Sequence, residues 1–508
     1  MKSNSESEMR SFSKSKLMAL RQCTKRLWLE LHRPDLREDS ESTQMSFQIG
    51  HQVGDIARRI FDPAGVGALI DVESEGFSGA FERTARLLNG ALHPVFEAGF
   101  SAGGALAFAD VMLPVLNSDQ LAWRMVEVKS TTSVKDCHSD DVAIQAFIAR
   151  SSGVSLQSVA LAHIDTTWVY PGDEDYQGLL KETDLTEQAF SRCKEVESWI
   201  AEAQIIDALP NEPFVEPGIQ CGKPYPCGFV DHCRRDHIQP VYPIYWLPNF
   251  RTAKKEYLAD LGVTDLSEVP DDLLSDRQQR VKEHTLTNTV YFDAAGAASE
   301  LAAYSLPAYF LDFESIQFVV PIWQGTRPYQ HNVFQFSLHT LSALGEVKHN
   351  EFLDLSGHDP AEPFAIALIA ACGVSGPVYV YSAGFEKGRI SALAHRYPSL
   401  KDQLLAINAR VVDLRPIASN YYYHASQQGS WSLKKVLPAV VPELSYDKLD
   451  GVQDGGMAMV AYHEAIHADT SVERKAQIER QLLEYCKLDT YALVRLWQVF
   501  SGHTEMKL

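Results

Sequence analysis

No run of about 18 apolar residues occurs, so a membrane-spanning helix is not expected. Positive charge is scarce. Lys and Arg total 46 against 66 Asp and Glu, which leaves a formal net charge of −20. That balance excludes a generally basic nucleic-acid coat. It does not exclude an enzyme acting on nucleic acid, because carboxylates that gather metal ions make a site acidic until the ions bind. The N-terminal Met1–Glu8 lacks the apolar core of a secretory signal, so a cytoplasmic location is expected. There, the eight cysteines are expected as thiols or metal ligands rather than as a disulfide framework. Internal repeats are absent, and nothing beyond the Ser-rich start is of low complexity. What remains is the composition of a globular protein, 45% hydrophobic and 22% charged, with 508 residues for two or three domain-sized units.

Two halves can be distinguished. Residues 1–240 hold a helical start, a strand-rich middle and a cysteine group, closed by Ile238-Gln239-Pro240 and the aromatic, proline-rich Tyr242–Pro248. Residues 241–304 read as a charged helical connector, and 305–508 as a second domain.

In the first half, Ser13–Cys23 reads as a capped helix that Arg26–Leu29 continue. Cys23 at its end gains meaning from Cys221, Cys227 and Cys233, spaced six residues apart with prolines and glycines between them. Such turn chemistry suits a loop wrapped round a metal centre. The spacing is not that of paired CxxC zinc ligands, which favours an iron–sulfur cluster over zinc. Cys137, Cys193, Cys372 and Cys486 have no such context and read as structural. Between these cysteines, Leu106–Leu113 and Trp123–Lys129 read as a hairpin, turning through Asn117–Gln120 and presenting Asp110, Glu127 and Lys129. Side chains two apart on a strand share a face, so Glu127 and Lys129 project together. Two carboxylates that hold Mg²⁺ or Mn²⁺, with a lysine to position or activate water, form a hydrolytic set. A helix starting at Asp141 would bring Gln145 to the same place.

Asp110, Glu127-Val128-Lys129 and Gln145, bracketed by one cysteine before and three after, resemble the RecB-type PD-(D/E)XK nucleases over residues 12–235. The likeness is greatest to those with a four-cysteine 4Fe-4S cluster, such as the CRISPR adaptation nucleases and the AddB-type helicase–nuclease. The resemblance implies Asp110 and Glu127 as metal ligands, Lys129 as the catalytic lysine, Gln145 as a substrate-side residue and Glu97 as an additional acid. It also implies Cys23, Cys221, Cys227 and Cys233 as cluster ligands. One departure stands out. Where that family often has GxxxH on its first core helix, Gly50-His51-Gln52-Val53-Gly54 places His51 three residues early.

In the second half, Leu306–Phe310 opens a buried strand that continues into Leu311-Asp312-Phe313-Glu314. Asp312 and Glu314 share a face. Two neighbouring carboxylates on an apolar strand repel each other and lose hydration, which a divalent cation relieves. Asn332–His339 reads as the next strand, and Gly376–Glu386 as a strand feeding a helix that starts near Glu386. Ile407–Leu414 reads as a buried strand carrying Asp413, and Gly429–Leu437 as a turn and helix whose lysines suit phosphates. Tyr485 and Asp489, four apart on a helix, share a face.

These pieces resemble the DEDD exonucleases of ribonuclease H-like fold, in the tyrosine variant, over about residues 305–500. The pattern is also similar to an uncharacterised bacterial family in which this domain follows a RecB-like nuclease. The third acid, usually Asp after an aromatic, appears as Glu386 in Ser382–Glu386, with Asp413 as the competing candidate. The resemblance implies that Asp312, Glu314, Glu386 and Asp489 hold two ions about 4 Å apart, and that Tyr485 orients the attacking water. The expectation is an α/β protein with two nuclease sites, acting on DNA, or RNA at the second site, in repair or in defence against foreign DNA. The rival is a nucleic-acid-binding or sensing scaffold with degenerate sites.

Overall fold

Residues 10–117, 120–235 and 240–503 are described by a computed structural model. The Ser-rich start at residues 1–8, the turn residues Ser118 and Asp119, and Ile238 and Gln239 lie outside the described residues. The chain is α/β and forms two units. The first is Met1–His237 with Phe318–Tyr329, and the second is Ile238–Gln317 with Gln330–Leu508. The stretch 241–304, expected as a connector, clusters with the second unit. It contains the helices Thr252–Asp260, Asp276–Leu286 and Ala294–Leu301.

The first unit is built on a mixed seven-stranded sheet. Its main strands are β1 (Val95–Ala102), β2 (Ala105–Asn117), β3 (Gln120–Lys129), β4 (Leu156–Ile164) and β5 (Leu180–Asp184). β3 and β4 run parallel, and the other pairs in that series run antiparallel. Helix α1 (Lys14–Gln22) is capped by Ser13, whose Oγ accepts from Lys16 N. The expected continuous helix through Arg26–Leu29 is instead two. Cys23 is extended (φ −166°, ψ 126°) and α2 (Thr24–His32) starts anew, so this cysteine sits at a joint. Helix α3 (Glu41–Phe61) carries His51, and α4 (Val72–Leu88) packs on β1. Helix α5 (Asp136–Ser151) begins a turn and more before the expected Asp141. Its Val142, Ile144, Phe147 and Ile148 are buried in the main core, and Asp141 and Gln145 are buried within the same helix.

The second unit centres on a five-stranded sheet of order β8-β7-β6-β9-β10, where β6 is Ala308–Gln317, β7 His331–Leu341, β8 Val347–Leu353, β9 Val378–Val380 and β10 Val411–Asp413. β6 pairs antiparallel with β7 and parallel with β9. Its helices include α6 (Ala361–Ala371), α7 (Gly384–Arg396), α8 (Leu433–Val440) and α9 (Val472–Ser501). Alternation along β6 sorts its residues. Leu311 and Phe313 pack with Phe364 of α6 and Ile390 of α7, each fully buried side chain contributing about 2 kcal/mol. Phe310 faces the other way, toward Leu493 and Trp497 of α9. Asp312 and Glu314 follow on that same face. The expected strand from Ile407 is shorter. Ile407–Ala409 end a helix (Lys401–Ala409), and only Val411–Asp413 are extended, a confusion to which short apolar runs are prone.

Candidate active sites and cysteine centre

Three acids of the first unit come from three adjacent strands. The pairs Phe96–Val111 and Ala98–Ala109 flank Glu97 and Asp110, so these stand opposite across β1 and β2. The register of β2 and β3, with Val111 opposite Val126, likewise sets Asp110 opposite Glu127. Glu97 adopts a left-handed backbone (φ 55°), uncommon for a residue other than glycine.

Glu127 is 1% exposed and fully engaged. Its Oε1 accepts from Lys14 Nζ at 2.8 Å and Lys129 Nζ at 2.5 Å, and its Oε2 from Gln145 Nε2 at 2.6 Å. Asp141 completes the network, with Lys14 at 3.0 Å, Lys129 at 2.6 Å and Gln145 Nε2 at 3.1 Å. Asp110 Oδ2 accepts from Val128 N at 2.7 Å. Burial, then the charge of Glu127, pushes the carboxyls of Asp110 and Glu97 upward. Burial alone would lower Lys14, but Asp141 and Glu127 outweigh it and hold the ammonium up at about 12. Asp141 is held far down against its own burial by Lys129 and Lys14. Gln145 Oε1 is buried without a hydrogen-bond partner. The hairpin residues and Gln145 are thus brought together. Lys14 and Asp141 were missed, although Asp141 stands four residues before Gln145, the helical same-face spacing. His51 and Glu97 line one cavity of about 1070 Å³, and the charge of His51 acts on Glu97.

Cys23, Cys221, Cys227 and Cys233 line a second, small cavity, and none of the eight cysteines is disulfide-bonded. Gln22 ties the loop to α1, its Nε2 donating to Gln220 O at 2.7 Å and Tyr225 O at 2.8 Å. Burial pushes the Cys227 and Cys233 thiols up; neighbouring cysteines add to this, while Arg26 and Lys25 oppose it. The four thiols thus face one space, without any three of the sulfurs lying within 4.8 Å of one another.

In the second unit, Asp312, Glu314 and Asp489 offer carboxylate oxygens within 4.8 Å of one another, among the described residues the one group of three metal-ligand side chains that close. Asp489 and Tyr485 are both buried on α9, a turn apart. Burial, with Asp489, Glu314 and Glu386 nearby, pushes Asp312 well above the ordinary carboxylate range. Burial and Asp489 push Glu314 up to about 8. Asp489 rises to about 6 through burial, opposed by the Tyr446 hydroxyl that donates to its Oδ1 and by the charge of Lys434.

Hydrogen bonds separate the two candidates for the remaining acid. Asp413 is committed to backbone: Oδ1 accepts from Ser382 N and Arg415 N, both at 2.9 Å, and Oδ2 from Ala383 N at 3.0 Å. Glu386 is 2% exposed. Its Oε2 lacks any partner, and its charge acts on Asp312. Burial raises it to about 8. Crowded carboxylates of this kind are a donor set that suits a divalent cation, and Glu386, whose charge reaches Asp312, keeps one oxygen unpaired.

Three further groups surround the acids. Tyr446 was missed altogether. Cys486, expected as structural, places its Sγ 3.8 Å from Asp312 Oδ2. Lys434, at the start of α8, is exposed and holds its Nζ 5.7 Å from the Tyr446 ring centre and 5.9 Å from that of Tyr485.

A family model described as a domain of unknown function (DUF2779) matches residues 309–432. The matched stretch contains Asp312, Glu314, Glu386 and Asp413 and ends before Lys434, Tyr446, Tyr485 and Asp489. Comparison with curated proteins gives no match.

Proposed function

We propose that this protein is a metal-dependent nuclease with two active sites, cleaving or resecting DNA, with RNA as the alternative substrate of the second. The observation that carries this reading is the convergence of half-buried Asp312 with buried Glu314 and Asp489, the charge of Glu386 also reaching Asp312. Repelling, desolvated carboxylates are costly to keep, and their use is to hold Mg²⁺ or Mn²⁺. Such ions, when bound, supply Lewis-acid activation of water and stabilisation of the leaving oxygen. In the ribonuclease H-like reading, Asp312, Glu314, Glu386 and Asp489 hold the ions. Tyr485, fixed on the same helix face as Asp489, orients the attacking water. Tyr446 keeps Asp489 in its ligating rotamer, and the exposed Lys434 neutralises a phosphate at the mouth. The expected product is a strand shortened from its 3′ end.

In the first unit, the RecB-like reading assigns Glu97, Asp110 and Glu127 to the metal and Lys129 to the water. Cys23, Cys221, Cys227 and Cys233 are assigned to a 4Fe-4S cluster, with zinc as the alternative, tying Cys23 to the C-terminal loop of that unit. A second reading of this site alone, a nucleic-acid-binding scaffold without catalysis, is favoured by one observation: both oxygens of Glu127 are already taken by Lys14, Lys129 and Gln145. Labelled single- and double-stranded DNA incubated with Mn²⁺ tests the proposal. Cleavage lost in Asp312→Ala assigns the second site, and cleavage lost in Lys129→Ala assigns the first. Products identical to wild type in either variant retire that site.

A further inference from the structure

On another face of α9, the second unit carries a cavity of about 540 Å³ that the acid cluster does not use. This is within the range of small-ligand sites. His339, His349 and Tyr491 form a row of rings along it, with centroids 4.6 Å and 5.7 Å apart from that of His339. A buried hydrogen-bond chain holds the two imidazoles. His339 Nδ1 bonds Thr490 Oγ1 at 2.8 Å, Thr490 Oγ1 bonds Ser337 Oγ at 2.7 Å, and Ser337 Oγ bonds His349 Nε2 at 2.8 Å. Apolar residues of similar shape would fill this layer without the risk of an unmet polar group. The chain instead fixes the orientation of both rings, leaving His339 Nε2 and His349 Nδ1 outside it.

The remaining lining completes a specific chemistry. Val347, Leu449 and Leu488 supply apolar wall, and Lys348 and Lys487 supply two ammonium groups against the single carboxylate of Glu484. Both lysines are exposed, and the charge of Lys487 is felt at both imidazoles. Burial keeps the rings neutral, pushing His339 down to about 3 and His349 to about 4. His339 is only 4% exposed and backs the row, while the half-buried His349 and Tyr491 offer ring surface and a neutral imidazole rather than charge.

We propose that this cavity binds one nucleoside monophosphate, with the base against His349 and Tyr491, backed by His339 between them, and the phosphate at Lys348 and Lys487. The aromatic row suits a heterocycle that stacks and carries hydrogen-bonding edges, and the two ammonium groups of the rim suit one phosphate group, which carries about −1.5 to −2 at neutral pH. The site stands or falls independently of the hydrolytic reading, because none of its residues belongs to the acid cluster.

The test is calorimetric titration of the full-length protein with dAMP in EDTA, which removes metal-dependent binding at the carboxylates. Saturable binding with Kd below about 1 mM is expected, with adenosine and inorganic phosphate each at least about tenfold weaker. Lys348→Glu and Lys487→Glu, both at exposed positions, are each expected to weaken dAMP binding about tenfold with unchanged thermal unfolding, and Asp312→Asn is expected to leave it intact. Absence of saturation in the wild type overturns the proposal. So does binding that survives both lysine variants or is lost in Asp312→Asn. An end-blocked single-stranded oligonucleotide that binds this cavity more tightly than dAMP overturns the assignment to a free mononucleotide.

Discussion

Glu386 and Asp413 lie close together in the second unit, and only their hydrogen bonds tell them apart. Asp413 closes the turn that launches α7 and caps the following helix (Leu414–Tyr421), whereas Glu386 keeps a buried oxygen unpaired. Glu386→Gln is therefore expected to lower the metal-dependent cleavage rate by about 100-fold or more while leaving thermal unfolding nearly unchanged. Asp413→Ala is expected to cost about 1–2 kcal/mol of stability, read by urea denaturation, through the lost cap. Tyr446 offers a finer probe. Its hydroxyl lowers Asp489 toward the ionised form, so Tyr446→Phe is expected to raise the Asp489 carboxyl and move the acidic limb of the pH–rate profile to higher pH. A profile that keeps its acidic limb in place would show that this hydroxyl only packs.

At the scale of elements, the face shared by Asp312 and Glu314 was legible because a strand has a strict period of two. The hairpin carrying Asp110 and Glu127 was legible for the same reason. The break at Cys23 was not, since Thr24–His32 continues a helical pattern and nothing local demands the extended backbone there. Nor was the difference in hydrogen bonding between Glu386 and Asp413, which depends on which backbone amides lie opposite once β9 and β10 are paired. Tyr446 escaped because a buried tyrosine looks the same in sequence whether its hydroxyl meets a carboxylate or a carbonyl. Close packing at the start of β9 yields a further expectation. Gly376 has φ 90°, and an added Cβ would lie 1.9 Å from Pro307 O. Gly376→Ala is thus expected to destabilise the second unit by about 3 kcal/mol or more, measured as a lowered urea midpoint.

At the scale of the whole molecule, charge and metal should govern stability together. Glu314 and Glu386 are raised to about 8 and Asp489 to about 6 by burial. A carboxyl raised on folding stabilises fully below its unfolded value and loses that contribution as pH climbs through its folded value. Metal-free protein is therefore expected to show a Tm that falls between about pH 5 and pH 8, and Mn²⁺ is expected to restore it most at the alkaline end. A metal-free Tm that rises over that interval would contradict the placement of these acids. In the first unit, an iron–sulfur centre is expected to give brown protein absorbing near about 400 nm, lost in Cys227→Ser. Colourless protein that releases zinc would assign the four thiols to that ion instead.

The central claim is that the carboxylates gathered round Asp312 hydrolyse nucleic acid with a bound metal. It is met most directly by following a 5′-labelled DNA oligonucleotide with Mn²⁺, using wild type, Asp312→Ala and Lys129→Ala side by side. A ladder of strands shortened from the 3′ end, present in wild type and Lys129→Ala but absent in Asp312→Ala or in EDTA, is the expected result. A ladder that persists in Asp312→Ala, or no cleavage by wild type, would contradict it.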